Sequence, residues 1–419
     1  MTNVVAAAVM VAAVSVFGGE AAAQAEAAPT QPADPMAAPE IGRFTVREGY
    51  KVEAVTPRLD NVRFMEFAPD GALYISRPRF GDIVTLRDLD KDGVYENLTV
   101  YVEGLEGPHA LCWHNDALWI AAQGVILRSV DADRSGIADE VIERVSGLPR
   151  DGGHWWRSLL VTDTHIYTSI GDSGNITDEQ ATDRQKIWRF NHEGGEKTLF
   201  ASGLRNTEEL RLRPGTTEVW GVDHGSDNFG ELLGEDAERM PYTDWNPPDE
   251  LNRYEEGRFY GHPFVTGNMV PRYEFRERED IIELGMRTVA PAWRFGAHWA
   301  ANCFAFVDPA INERTKALPS ECSGDAFVAC RGSWNRSARA GYQVARVIFD
   351  KDPKLGGNPC GLETVVSTLA KDEAGGDVVL ARPVDCAQGP DGMIYFTSDL
   401  PTGRVYRIRW IGETTAPRE

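Results

Sequence analysis

The chain has 419 residues, 42% hydrophobic and 10% aromatic, with a formal net charge of −21 at pH 7. That apolar content excludes a disordered chain and supports a large core. The acidity and the lack of any Lys/Arg-rich stretch exclude a nucleic-acid binder and a protein held on an anionic membrane surface, since both need a basic face.

The first 25 residues contain one charged side chain, Glu20, and Val4 to Gly19 is an uncharged, Ala/Val-rich run. The run is short for a membrane span, and the small residues Ala21 to Ala25 that follow it suit a signal peptidase. Residues 1–25 are therefore expected to be a signal peptide, although no Lys or Arg precedes the run, and the protein to be periplasmic or secreted. A membrane anchor at this segment is the competing expectation. Residues 26–41, with Pro29, Pro32, Pro35 and Pro39, read as a flexible lead-in. No membrane span is expected in the mature chain.

From residue 42 to 411 two strand patterns alternate. One carries an aromatic residue, often after a Gly-containing turn: Pro69 to Ser76, Asn115 to Ala121, Asp163 to Ile170, Thr216 to Val222, Gly324 to Cys330 and Pro390 to Ser398. The other ends in apolar-x-Arg, at Arg87, Arg128, Arg189, Arg253, Arg346 and Arg407. A unit of about 45 residues with such strands matches one propeller blade, which cannot cover its own faces and must stack radially. The expected fold is all-β: one six-bladed β-propeller domain of four-stranded antiparallel blades, closed by pairing the N-terminal strand Tyr50 to Val55 with Gly403 to Trp410. Residues 412–419 form a tail. Long stretches near 227–250 and 262–297 are expected as insertions on the loop face, with a hidden seventh blade as the alternative.

The chain has six cysteines, compatible with export. Cys322 and Cys330 flank a predicted strand and are expected to form a disulfide. Cys360 and Cys386 bracket a connection, while Cys112 and Cys303 read as core. No C-x-x-C-H or zinc spacing occurs, so no attached haem and no zinc motif are expected.

Two loops place acidic oxygens around a Gly turn: Asp88, Asp90, Asp92 and Glu96 around Gly93, and Asp131, Asp133 and Asp139 around Gly136. Such spacing suits Ca²⁺, although Thr99 and Ile142 stand where an EF-hand has its distal Glu. A polar turn held by Asp side chains is the alternative.

Three segments near the predicted loop face carry candidate chemistry. His154 follows Gly152-Gly153, and an imidazole there suits a general base; a loop His bonded to backbone is the alternative. Asp172, in Gly171-Asp172-Ser173-Gly174, is a candidate to orient it. Arg205, in Gly203-Leu204-Arg205-Asn206, suits a carboxylate or carbonyl oxygen, or else a surface salt bridge.

Taken in order, these motifs, with Asp249-Glu250-Leu251-Asn252 and Phe259-Tyr260-Gly261, resemble the soluble PQQ-dependent glucose dehydrogenases. Gly332-Ser333-Trp334-Asn335-Arg336, Gly341-Tyr342 and Arg382-Pro383-Val384 resemble the sorbosone dehydrogenase branch. The resemblance implies a PQQ-dependent oxidoreductase that oxidises a sugar, polyol or sugar aldehyde by hydride transfer to the quinone. It implies catalytic roles for His154, Asp172 and Arg205, and cofactor contacts from Arg205, Asn206, His298, Trp334, Arg336 and Arg382. It implies an active-site Ca²⁺ held by the carbonyls of Gly225 and Ser226, and a second calcium at Glu250 and Tyr260. Electrons would leave to an external acceptor. The chain departs from the pattern at Thr207-Glu208-Glu209-Leu210, where the family has Pro-x-Gly-Leu, at Ser226 in place of Pro, and at Val384 in place of a second Arg. Two other functions stay open: a non-catalytic propeller that binds a glycan or protein, and a lactonase-type hydrolase, for which no obvious Glu/Asn/Asp set is present.

Overall fold

Six antiparallel blades, each built on four strands, follow one another along the chain, two of them with a fifth edge strand, Thr45–Val46 or Arg258–Phe259, in the computed structural model, which describes residues 34–236, 239–352 and 357–412. The expected signal peptide and nearly all of the tail lie outside the described residues. Met36–Glu419 forms one compact unit.

The inner strands are Met65–Phe67, Leu111–His114, Leu160–Val161, Thr207–Leu212, Ala301–Phe306 and Pro383–Gln388. Each adjoins the next, and the last adjoins the first, so they ring a central channel. The aromatic pattern of the repeat falls on the second strands, such as Leu73–Arg77 and Val219–Asp223, and the apolar-x-Arg pattern on the third, such as Asp82–Arg87 and Gln343–Phe349. Ala117–Ala122 and Ala326–Cys330 are buried along their whole length. A blade interior is covered on both faces, which is why these strands read as continuous apolar runs rather than as alternation.

Each blade junction has its own apolar cluster. Trp220 and Val222 of blade 4 pack on Phe304, Val328 and Phe349 of blade 5. Trp220 meets Phe349 edge to face at 5.3 Å between centroids. Leu73 and Ile75 of blade 1 pack on Tyr395 and Val405 of blade 6, across the seam where the ring closes. At that seam Tyr50–Ala54 pairs antiparallel with Arg404–Trp410, Val52 opposite Ile408, as the outer strand of blade 6. Burying a side chain of this size is worth about 1.5–3 kcal/mol, so the junctions hold the ring without a covalent tie.

The expected disulfide is not formed. Cys322 and Cys330 are both free thiols. Cys322 lies in the turn before the strand Ala326–Cys330, with its Sγ 3.6 Å from the Tyr50 hydroxyl. Cys330 ends that strand and packs in the blade 4–5 cluster. An extended strand rises about 3.3 Å per residue, which carries the two sulfurs to opposite ends of the blade.

The two long stretches are insertions, not a seventh blade. Residues 224–247 join the second and third strands of blade 4 and contain two 3-10 turns, Glu231–Leu233 and Thr243–Trp245. Residues 255–292 join its third and fourth strands and carry the helix Ile281–Arg287. The short strand Arg258–Phe259 lies parallel to Thr198–Ser202 at the edge of blade 3.

Candidate active site

The residues just before the inner strands converge at one end of the channel. Arg63 precedes blade 1, His154 and Trp156 blade 3, Arg205 and Asn206 blade 4, His298 blade 5, and Arg382 blade 6. With Gly225, Asp227, Arg331 and Trp334 from loops between second and third strands, they line a cavity of about 350 Å³.

His154 takes a positive φ of 44°, which Gly152 and Gly153 before it accommodate. Its Nδ1 lies 2.9 Å from the main-chain oxygen of Asp172. A neutral ring there donates from Nδ1 and presents Nε2 as an acceptor. Burial, then the nearby positive charge of Arg205, lowers its pKa to about 4, so the ring is neutral at pH 7.

Asp172 meets His154, but not with the carboxylate expected to orient it. Its side chain points the other way, into a loop whose amides converge on it. The carboxylate accepts Gly174 N–H at 2.7 Å and Thr177 N–H at 3.0 Å. It also accepts the Gln185 amide at 2.9 Å and His262 Nε2 at 2.7 Å. Burial alone would raise its pKa, but these donors, His262 foremost, hold it well below the usual range. His262 belongs to the second insertion, which thereby props the His154 carbonyl partner from behind.

Arg205 is held on all sides. Its guanidinium donates to Asp227 at 2.8 Å, to the Gly225 carbonyl at 2.9 Å and to both oxygens of Asn175. Asn206 donates to Glu208 at 2.9 Å. Arg382 differs: its guanidinium donates only to the carbonyls of Arg331 and Gly332, at 3.1 and 3.0 Å, so no carboxylate neutralises it directly. Arg63 and Arg331 share Asp399, at 3.1 and 2.8 Å. Trp334 stands at the rim, 71% exposed. His298 donates its Nε2–H to the Thr243 carbonyl at 2.8 Å.

Other expected contacts fall outside this cavity. Arg336 donates to Ala297 O at 3.2 Å and lies over the Trp245 ring at 5.3 Å; the first insertion captures it. Glu250 and Tyr260 do share a small cavity with Gly225, Ser226 and Asp223. The Tyr260 hydroxyl, however, is spent on Arg253 O and Glu255 N–H, at 2.6 and 2.8 Å. Burial pushes Glu250 up to about 8 and Asp249 up to about 7, a crowd of buried carboxylates that favours a cation. The outer acidic loops gather Asp88, Asp90 and Asp92, and Asp131, Asp133 and Asp139. Glu96 stays out, accepting from the Asn97 side chain at 2.7 Å.

Several lining residues escaped the sequence. His224 is the clearest: its Nδ1 lies 3.2 Å from the Asn206 amide, and its Nε2 has no hydrogen-bond partner among the described residues. Its place directly before Gly225-Ser226 was the available signal. Asp227, Arg63, Arg331 and Trp156 carried no motif.

The fold recurs in solved structures. The PQQ domain of a pyranose dehydrogenase from Coprinopsis cinerea superposes with a TM-score of 0.71 at 18% identity, over 88% of this chain and 97% of that one. A Carbohydrate-Active Enzymes Family AA12 protein from Trichoderma reesei, solved with calcium, gives 0.71 at 16% identity over 88% and 97%. The soluble aldose sugar dehydrogenase of Escherichia coli gives 0.60 at 14% identity over 86% and 99%. An uncharacterized protein of Borreliella burgdorferi is 26% identical over 53% of this chain, a match that spans about half, 51%, of that protein's length. The TrAA12-like family model matches residues 44–410, which is the whole propeller, and the chain belongs to that family.

Proposed function

We propose that the protein is a PQQ-dependent oxidoreductase acting on a sugar, polyol or sugar aldehyde, with His154 as general base. The observation that carries this is the pairing, in one cavity, of a neutral imidazole with its Nε2 left as acceptor and an arginine, Arg382, lacking a carboxylate partner.

The donor set fits the cofactor. PQQ is flat and carries three carboxylates; Arg382 brings a guanidinium without a carboxylate partner, and Arg331, Arg63 and Arg205 add positive charge around the cavity. The exposed ring of Trp334 suits stacking at the rim. The unpartnered Nε2 of His224 and Oδ1 of Asn302 are further polar groups that a ligand would satisfy. A hard cation suits the carbonyls of Gly225 and Ser226, with Asp223, Asp227 and Asp249 nearby. When bound, the quinone supplies the two-electron acceptor and the calcium polarises it.

The chain's own residues do the rest. His154 Nε2 takes the proton from the substrate hydroxyl, while the Asp172 carbonyl keeps Nδ1–H in place. Arg205, locked by Asp227 and Asn175, stabilises negative charge that develops near it without reorganising. Export to the periplasm or medium and transfer of electrons to a separate acceptor complete the proposal. Reconstitution with PQQ and Ca²⁺, followed by assay on aldoses, polyols and sorbosone with an artificial acceptor, tests it. A propeller that takes up no quinone is instead a binding protein.

A further inference from the structure

The inner strands also turn polar side chains toward one another away from the chemistry above. Arg211 of blade 4 is paired with Glu209 of its own strand at 2.8 Å and with Glu66 of blade 1 at 3.0 Å. Cys303 of blade 5 and Asp385 of blade 6 complete the group. Glu209, Cys303 and Asp385 each offer a ligand atom, all within 4.8 Å of one another. They are 3%, 0% and 1% exposed.

Two features make this more than a buried polar cluster. Three carboxylates face one guanidinium, so with all of them ionised the group holds uncompensated negative charge in a buried site, which is costly. Asp385 also leaves an oxygen bare: Oδ2 accepts the Met65 N–H at 2.8 Å, while Oδ1 has no hydrogen-bond partner among the described residues. A buried orphan oxygen of this kind asks for a ligand or a proton.

We propose that Glu209, Cys303 and Asp385 form a site for a divalent transition-metal ion, Zn²⁺ being the ion that fits, tying the inner strands of blades 4, 5 and 6. The donors are one sulfur and two carboxylates. Ca²⁺ and Mg²⁺ take oxygen ligands only, whereas Zn²⁺ accepts Cys with Asp or Glu. Zn–O and Zn–S bonds of about 2.0–2.3 Å set tetrahedral donors roughly 3.5 Å apart, within reach of small side-chain rotations from the observed spacing. Binding replaces the Cys303 thiol proton, which is released. The site shares no residue with the calcium positions proposed above, whose donors are oxygen alone.

Co²⁺ is the probe, because thiolate ligation gives it a charge-transfer band that oxygen sites do not. The full chain, stripped with chelator, is titrated with Co²⁺. The expected result is one equivalent bound with a thiolate-to-cobalt band, displaced by Zn²⁺. Cys303→Ser should abolish the band, and Asp385→Asn should weaken Co²⁺ affinity by more than about tenfold. Wild-type protein that binds no Co²⁺, or binds it without the band, overturns the proposal and leaves a shared proton among the carboxylates. A band of full intensity in Cys303→Ser overturns it too. If that variant does not fold, unchanged affinity in Asp385→Asn does the same.

Discussion

The main-chain oxygen of Asp172 lies 2.9 Å from His154 Nδ1, while the carboxylate of the same residue lies 2.7 Å from His262 Nε2. One residue thus holds one histidine with its main-chain oxygen and another with its carboxylate. Replacing the carboxylate should act on His154 at second hand. Asp172→Asn is expected to destabilise the fold by about 1.5–3 kcal/mol, the scale of a charged hydrogen bond, and to lower turnover. His262→Ala should do the same more mildly, because Gly174, Thr177 and Gln185 still hold the carboxylate. Denaturant melts and kcat of both variants check the order. Full stability in Asp172→Asn would contradict it.

Removal of the base is expected to be more specific. His154→Ala should lower turnover by about 10²- to 10⁴-fold with quinone binding retained. The neutral form is the active one. With the pKa lowered to about 4, activity should hold as pH falls through 6 and be lost only as it passes about 4. A rate profile of kcat/KM against pH, with an acid limb near 6.5 instead, would indicate an unperturbed imidazole.

The arginines should separate by their partners. Arg382→Ala is expected to weaken quinone retention without loss of fold, since its guanidinium meets only two carbonyls. Arg205→Ala should weaken both retention and turnover, and leave Asp227 without its ion pair. Arg336→Ala should leave quinone affinity near wild type, because Arg336 is turned onto Trp245. Quinone titration by fluorescence quenching ranks the three. Equal losses in Arg336→Ala and Arg382→Ala would sink the distinction.

His109 should also lose its share of the native stability in acid. His109 is buried against Trp155 and Trp156, and burial lowers its pKa to about 3. An unfolded imidazole titrates near 6.5. As pH falls below that value the unfolded chain takes up protons that the native ring refuses, so this stability is complete above about 6.5 and declines toward the folded pKa. His154 acts in the same sense. Burial raises Glu250 and Asp249, and these act in the opposite sense, so the test is the variant. The Tm difference between wild type and His109→Gln is expected to be smaller at pH 5 than at pH 7, and an unchanged difference would contradict the assignment.

The blades were legible because each repeats the same two strand patterns, and burial on both faces writes itself into a strand as an apolar run. The mouth was partly legible: His154, Arg205 and Arg382 sit beside glycines or in short motifs that mark an inner-strand entry, and Asp172 sits between glycines just after a second strand. What was hidden depends on direction rather than position. Asp172 was found, but the atom that meets His154 was not, because side-chain and main-chain oxygens share one letter. The pairing of Cys322 with Cys330 failed because separation in sequence does not state which end of a strand each thiol occupies. Arg336 was taken from its motif, and only the insertion carrying Trp245 explains its turn away from the cavity. His224 went unseen because its partner Asn206 is supplied by another strand.

The central claim is a quinone-loaded propeller whose base is His154. The most direct test reconstitutes wild type and His154→Ala with PQQ and Ca²⁺, then measures bound quinone by absorbance and sugar-dependent reduction of an artificial acceptor in the same samples. The account predicts stoichiometric quinone in both, with turnover in wild type and a loss of at least about 10²-fold in the variant. Absence of bound quinone in wild type, or equal turnover in the two proteins, would contradict it.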